Sequence, residues 1–342
     1  MKKTLTVALV AFLSALAVAV DQPGASPGPG TRYATDAFPG FDHEEDIVAP
    51  ERKEPKWFSC INGPNRDNAK DQLEYCRGLL VEENWSKAAK HLDALVREWP
   101  TADEAPVAQQ LLAETCRDKL LDYEDAFRAY MYLADFYSLQ CDYEKVTDLM
   151  YGAAQLMRRD GKTIVFFRFD NTVDVRRAFE ACVLRAPGAP WVRQAMLTIG
   201  ELREDEGKYA QAVKVYENLV NLHGETPEAK VAILREANVR MLMLREHGYN
   251  RDRCRDTIDF MKLALTTCAV EDVDQIKEFL AEAKALTEAE AFKSACFYDS
   301  RTRTNRSAIN AYENFLSEYP ESAHADEIKE RLMKLKQKEG GK

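Results

Sequence analysis

Met196-Leu-Thr-Ile-Gly200-Glu-Leu-Arg-Glu-Asp-Glu-Gly207-Lys-Tyr209-Ala-Gln-Ala212-Val-Lys-Val-Tyr216-Glu-Asn-Leu219 decides the fold. Apolar residues recur three and four apart on both sides of Gly207-Lys208, which predicts two amphipathic helices joined by a tight turn. Gly200 and Ala212 are small and let the two helices approach closely. Tyr216 and Leu219 are placed to fill the gap to the next hairpin. One hairpin cannot bury its apolar face alone, so others should flank it.

Three more copies of the small-x-x-x-large step are present. They are Trp85-Ser-Lys-Ala88-x-x-x-Leu92, Tyr123-Glu-Asp-Ala126-x-x-x-Tyr130 and Ala308-x-x-x-Tyr312-Glu-Asn-Phe315. The copies around Ala88, Ala212 and Ala308 are closed by Pro100, Pro227 and Pro320. This is the pattern of the 34-residue tetratricopeptide hairpin. The predicted fold is all-α: a tetratricopeptide-repeat solenoid of about five to six hairpins over residues 57–338. Helices are expected over Asn68 to Pro100, Glu104 to Ser138, Asp142 to Arg159, Val175 to Leu184 and Trp191 to Pro227. Further on they are expected over Pro227 to Cys268, Val273 to Ser300 and Ser307 to Tyr319, with Ala323 to Lys338 as a polar-faced cap. In the helix after Asp142, Val146, Leu149, Ala153 and Leu156 share one face. Gly161 to Asn171 is β-branched, aromatic and out of helical period, so it reads as an insertion within the third hairpin.

The chain has 342 residues, 30% of them charged and 46% hydrophobic, with a net charge of −10. That balance is ordinary for a helical domain. It opposes nonspecific nucleic-acid binding and adsorption to anionic lipid. Residues 1–19 read as a signal peptide: Lys2-Lys3, an apolar run from Leu5 to Leu16, and the small-x-small site Ala17-Val-Ala19. Residues 20–56 are rich in Pro and Gly and read as a disordered linker. Within it Phe38 and Phe41 read as incidental aromatics rather than a docking motif. Eight cysteines in an exported chain invite disulfides, but Cys76, Cys182 and Cys296 fall at small-residue packing positions. Cys254 and Cys268 would lie about 21 Å apart on one helix. Most of the cysteines therefore read as buried thiols.

No nucleophile, P-loop or metal-ligand motif is present, and the five histidines are scattered. The chain is read as noncatalytic, with no cofactor and no metal. The useful surface is the one lined by the first helix of each hairpin. On it lie Lys70, Leu73, Arg77 and Leu80, followed by Leu111, Thr115, Asp118 and Lys119. Apolar members would take a peptide's side chains, and Lys70, Arg77 or Lys119 its terminal carboxylate.

The chain resembles the BamD (YfiO-type) component of the outer-membrane β-barrel assembly machinery over about residues 66–187 and 273–335. The resemblance rests on the opening hairpin Ala69…Gly78-Leu-Leu-Val-Glu-Glu-Asn84-Trp85…Trp99-Pro100. It rests also on the insertion Phe166-Phe167-Arg-Phe-Asp170 ahead of Ala178-Phe179, and on the closing pair through Phe297-Tyr298 and Ser307-Ala308…Tyr319-Pro320-Glu-Ser322. It implies a periplasmic scaffold associated with the outer membrane through its partners. Those partners would be the β-barrel assembly channel protein and unfolded outer-membrane proteins, whose C-terminal segments the first repeats would capture. Two features depart from the pattern. The lipid-attachment Cys expected just after the signal peptide is absent, the first cysteine being Cys60, and two extra hairpins occupy roughly Trp191 to Cys268. The departures favour an alternative, a periplasmic adaptor for a cell-division or secretion machine.

Overall fold

A computed structural model describes residues 38–41, 63–160, 162–164, 167–169, 172–246, 251–267, 272–301 and 305–340. The expected signal peptide, most of the linker, Cys60, Phe166 and Cys268 lie outside the described residues. Within them the fold is all-α apart from one short β-hairpin. The chain divides into two compact units, one through Leu202 and one from Arg203.

The first unit holds α1 (Ala69–Val81), α2 (Trp85–Glu98), α3 (Glu104–Thr115), α4 (Tyr123–Phe136), α5 (Tyr143–Asp160) and α6 (Thr172–Arg185). The helix α7 (Val192–Asp205) follows and crosses the division. From α1 to α6 each helix packs on the next in chain order, as expected where a repeat touches only its neighbours. Between α5 and α6, β1 (Lys162–Ile164) pairs antiparallel with β2 (Phe167–Phe169), Lys162 opposite Phe169. This is the predicted non-helical insertion. The core includes Leu92, Leu95, Tyr130, Leu133, Met150 and Phe179, all fully buried. Phe38 is also buried, and its ring stacks on Phe41 at 5.2 Å. The pair is packed rather than incidental, which corrects the sequence reading.

Two buried ion pairs brace this unit. Arg185, at the end of α6, donates from Nε and a terminal nitrogen to the two carboxylate oxygens of Asp135 on α4, at 2.8 and 2.6 Å. Arg176 and Glu180, one turn apart on α6, pair at 2.8 Å with both side chains fully buried.

The turns between paired helices share one geometry. Glu83, Leu121 and Gly207 all have positive φ, at 59°, 56° and 70°, and each stands two residues before the second helix. This is the left-handed helix stop, closed by a long-reach N–H bond back to the preceding helix. Asn84 N–H donates to the Leu79 carbonyl and Lys208 N–H to the Arg203 carbonyl, five residues back. Asp122 N–H reaches six back, to Cys116. The extra residue is taken up by a π-helical turn, Cys116–Leu120, at the end of α3. Only glycine adopts this backbone without steric cost. Leu121→Gly is therefore expected to raise stability by about 0.5–1 kcal/mol. Urea unfolding followed by tryptophan fluorescence checks this, since all four tryptophans precede Arg203.

The second unit begins with the end of α7 and holds α8 (Tyr209–His223), α9 (Pro227–Glu246), α10 (Arg251–Thr267), α11 (Val273–Arg301), α12 (Asn305–Glu318) and α13 (Ala325–Gly340). The 29-residue α11 serves two cores. Its first half, with Ile276 and Ala283, packs with α9 and α10 around Met241 and Met261. Its second half, with Ala295, packs with Ile309, Tyr312 and Phe315 of α12 and Ile328 and Leu335 of α13. On α13 the outer face is exposed, and Arg331 holds Asp299 of α11 through two bonds of 2.6 and 3.0 Å. That is the expected polar-faced cap.

Glu236 on α9 is buried and accepts from Arg240 at 2.7 Å. Burial pushes its carboxyl up to about 7, outweighing the pull of Arg240. A carboxyl raised in the folded state adds stability below its unfolded pKa and loses it as pH rises. The contribution should fall by about 2–3 kcal/mol between pH 4.5 and 7. Glu236→Gln should flatten that slope, which calorimetric unfolding across this pH range measures.

The six cysteines within the described residues are free thiols, with Cys76, Cys116, Cys182 and Cys254 buried. Burial pushes Cys76 and Cys116 up to about 12, so their thiols stay protonated and inert.

Candidate peptide-binding face

α1 starts at a capped end, where Asn68 accepts from the Asp71 N–H at 2.9 Å. Its buried stripe is Ala69, Gln72, Leu73, Cys76 and Leu79. Leu73 thus belongs to the packing side, four residues from Ala69 and three from Cys76, and is not available to a ligand. Thr115 is buried too, and its hydroxyl donates to the Leu111 carbonyl at 2.6 Å. Leu80 and Leu111 are half-buried, and Lys70, Arg77 and Lys119 are exposed.

The three cations do not form one cluster. Lys119 stands two residues before the left-handed turn residue and Lys70 thirteen before its own. At 1.5 Å per residue they sit about 16 Å apart along the hairpin axis. Arg77 lies nearer the turn end and pairs with Glu74 at 2.7 Å, both side chains exposed. Lys119 Nζ stands 4.9 Å from the centre of the Trp85 ring. Asp118 is engaged by Arg117 at 2.6 and 2.8 Å, and that bond holds its carboxyl below the usual range. The accessible set toward the turn end is Arg77, Leu80, Leu111 and Lys119.

A more enclosed feature lies further along, between the first helices α5 and α7 with α6 behind. It is a cleft of about 370 Å³ whose lining includes Tyr151, Gln155, Arg158, Phe179, Gln194 and Thr198. Arg158 is held in place by donating to Thr198 Oγ1 at 3.1 Å and to Glu201 at 2.7 Å. Tyr151 stacks on Trp191 at 4.6 Å and meets the Phe179 ring edge-on at 5.9 Å. Gln155 donates to the Tyr151 hydroxyl at 3.0 Å, and burial raises that hydroxyl's pKa. The wall is aromatic at the base and amide-rich above, suited to one side chain and the peptide groups beside it.

Of the α5 stripe read from the sequence, Val146 and Ala153 are buried but Leu149 and Leu156 only half-buried, and the buried face extends instead over Met150, Tyr151, Ala154 and Met157. The cleft had a sequence signal nonetheless. Tyr151, Gln155 and Arg158 recur at i, i+4 and i+7 on α5, as do Gln194, Thr198 and Glu201 on α7. Among the described residues no group of three or more His, Cys, Asp or Glu is placed to hold a metal. No helix among them is long and apolar enough to cross a membrane.

A tetratricopeptide-repeat family profile matches residues 194–226, the stretch from which the fold was read. No curated protein matches the chain. Among solved structures the chain is similar to a tetratricopeptide repeat protein from Parabacteroides merdae ATCC 43184, at 13% identity and a TM-score of 0.28. That alignment covers 78% of this chain and 98% of the other. The profile match and the stacked hairpins agree on a helical-repeat protein of the kind that mediates protein–protein interaction.

Proposed function

We propose that the protein is a noncatalytic scaffold of the outer-membrane protein assembly machinery that holds an unfolded client peptide along its first-helix face. The observation that carries the peptide-binding reading is the cleft between α5 and α7, on the same first-helix side as Arg77 and Lys119. The client's C-terminal carboxylate meets Arg77 and Lys119, Leu80 and Leu111 contact apolar side chains, and Lys70 is left to a more distant part of the client. The barrel-assembly context is supported by the resemblance, through the insertion at β1–β2 and the α11–α12 pair. On this reading residues 1–19 export the chain, residues 20–56 link it, and residues 57–338 are the working body. It acts in the periplasm, associated with the outer membrane through the assembly channel.

The test uses a peptide with an outer-membrane protein's C-terminal sequence, as free acid and as amide, titrated against the full mature chain. Trp85 and Trp191 lie beside the two parts of the face, so tryptophan fluorescence reports binding. A charge-assisted bond to the carboxylate is worth roughly one to two decades in affinity. The free acid should bind wild type about tenfold tighter than the amide, and Arg77→Glu should remove most of that gap. Equal binding of acid and amide to wild type would refute carboxylate capture.

A further inference from the structure

We infer that the outer flank of the first hairpin is a cationic docking surface for the acidic run Asp42-His43-Glu44-Glu45-Asp46 of this same chain. The hairpin α1–α2 opens the repeat series, so among the described residues no earlier hairpin covers that flank. At its centre is Tyr75, half-buried on α1. Arg77, two residues on, faces roughly the opposite side of the helix, so this surface is separate from the proposed peptide face. The Arg66 guanidinium stands 4.9 Å from the centre of the Tyr75 ring and Lys87 Nζ 5.8 Å from it. The same ring meets His91 of α2 edge-on at 5.2 Å. Burial lowers the pKa of His91, and the nearby charges of Lys87 and Lys90 lower it further. Arg66, Lys87 and Lys90 are exposed and have no ion pair among the described residues. On α1, Asp71 is engaged by Asn68 at 2.8 Å and Glu74 by Arg77 at 2.7 Å. Asp67, next to Arg66, and Glu83, four residues before Lys87, form no ion pair with them. Three cations without counter-charges around one half-buried ring attract carboxylates.

Charge, connection and reach name the occupant. Asp42, Glu44, Glu45 and Asp46 put four carboxylates into five residues. Downstream, the described chain resumes at Gly63 beside this very surface. There the Asn65 N–H donates to Gln72 Oε1 at 2.9 Å, and Asn65 Nδ2 donates to the Tyr75 hydroxyl at 3.1 Å. Sixteen residues lie between Asp46 and Gly63. Their extended reach of about 55 Å is more than a return to the adjacent flank requires. Upstream, the Phe41 N–H closes a turn on the Phe38 carbonyl at 3.2 Å, and its ring stacks on the buried Phe38. The acidic run therefore starts from a packed point. A tether of this length holds the run at a millimolar effective concentration, so exposed ion pairs that are weak one by one suffice together. An acidic segment of another molecule has no such advantage. Docked in this way, the run caps the open flank, and the chain leaves the body near residue 41 instead of residue 63. This inference does not rest on the proposed function of the first-helix face.

The test treats the full mature chain with a carbodiimide, which joins a carboxylate to a lysine amine in direct contact, and identifies the joined peptides by mass. At low salt, crosslinks from Asp42, Glu44, Glu45 or Asp46 to Lys87 or Lys90 are expected. Their yield should fall severalfold in about 0.5 M sodium chloride, which screens exposed charges. Arg66→Glu reverses one cation and leaves both lysines in place, so it should lower the yield by about three- to tenfold. Arg158→Glu, the same charge change on α5, should leave the yield unaltered. Arg66 is exposed, so an unchanged melting curve verifies that its variant folds. A second readout is the titration of His91 by NMR. Replacing the four acids with Asn or Gln should lower its pKa by about half a pH unit, the effect of one carboxylate about 6 Å away in a water-like medium. Absence of crosslinks to Lys87 and Lys90, equal yields in wild type and Arg66→Glu, or a His91 titration unmoved by neutralising the run would overturn the inference. So would crosslinks that join isotope-labelled to unlabelled chains, which would put a second copy on this surface.

Discussion

Asp135→Ala is expected to destabilise the first unit by about 3–5 kcal/mol. Asp135 and Arg185 are 6% and 5% exposed, and two bonds of 2.8 and 2.6 Å join α4 to α6 across fifty residues of sequence. Removing the carboxylate takes away the opposite charge that two short bonds hold against a buried guanidinium, which also donates to the neutral Ala181 carbonyl at 3.0 Å. The loss would be a large share of a typical domain's total stability. Asp135→Asn keeps the shape and removes the charge, so it should fall in between. Replacing both partners with apolar residues of similar size should cost less than Asp135→Ala alone, because no orphaned charge remains. Urea unfolding by tryptophan fluorescence isolates this unit. Equal losses in the single and double variants would refute the explanation.

Phe179→Ala should cost about 3–5 kcal/mol for a different reason. The ring is 1% exposed and packs edge-on against Tyr151. Deleting it opens a void behind a cleft that is already about 370 Å³. Tyr151 then loses its backing while remaining stacked on Trp191. Peptide affinity should fall along with stability, whereas Phe179→Leu should cost less than about 1.5 kcal/mol and retain most of the binding. The same urea series, with the peptide titration run on each folded variant, separates packing from recognition.

The repeat was legible because its signals are local. Ala88, Ala126, Ala212 and Ala308 sit at helix positions where only a small side chain permits close packing, and all four are buried. Gly207 announced its turn, but Glu83 and Leu121 adopt the same left-handed backbone without the residue type that advertises it. The π-helical turn before Leu121 was invisible, since it depends on which carbonyl the Asp122 N–H reaches. The site was read less well. Leu73 and Thr115 were assigned to the open face because a stripe with several small members does not fix a helix's rotation to within one residue. The α5–α7 cleft was missed for a similar reason: nothing local to Tyr151 or Phe179 separates a cleft wall from core, and only the matching polar positions on two separate helices mark the opening above them.

Purification of the full chain from the envelope of its own cells, after mild crosslinking, tests the central claim most directly, with partners identified by mass. The account predicts that an outer-membrane β-barrel assembly channel comes down with it, together with unfolded outer-membrane proteins crosslinked to the first-helix face near Arg77 and Arg158. Recovery of a cell-division or secretion complex, with no assembly channel, would contradict the account and identify the protein as an adaptor for that machine.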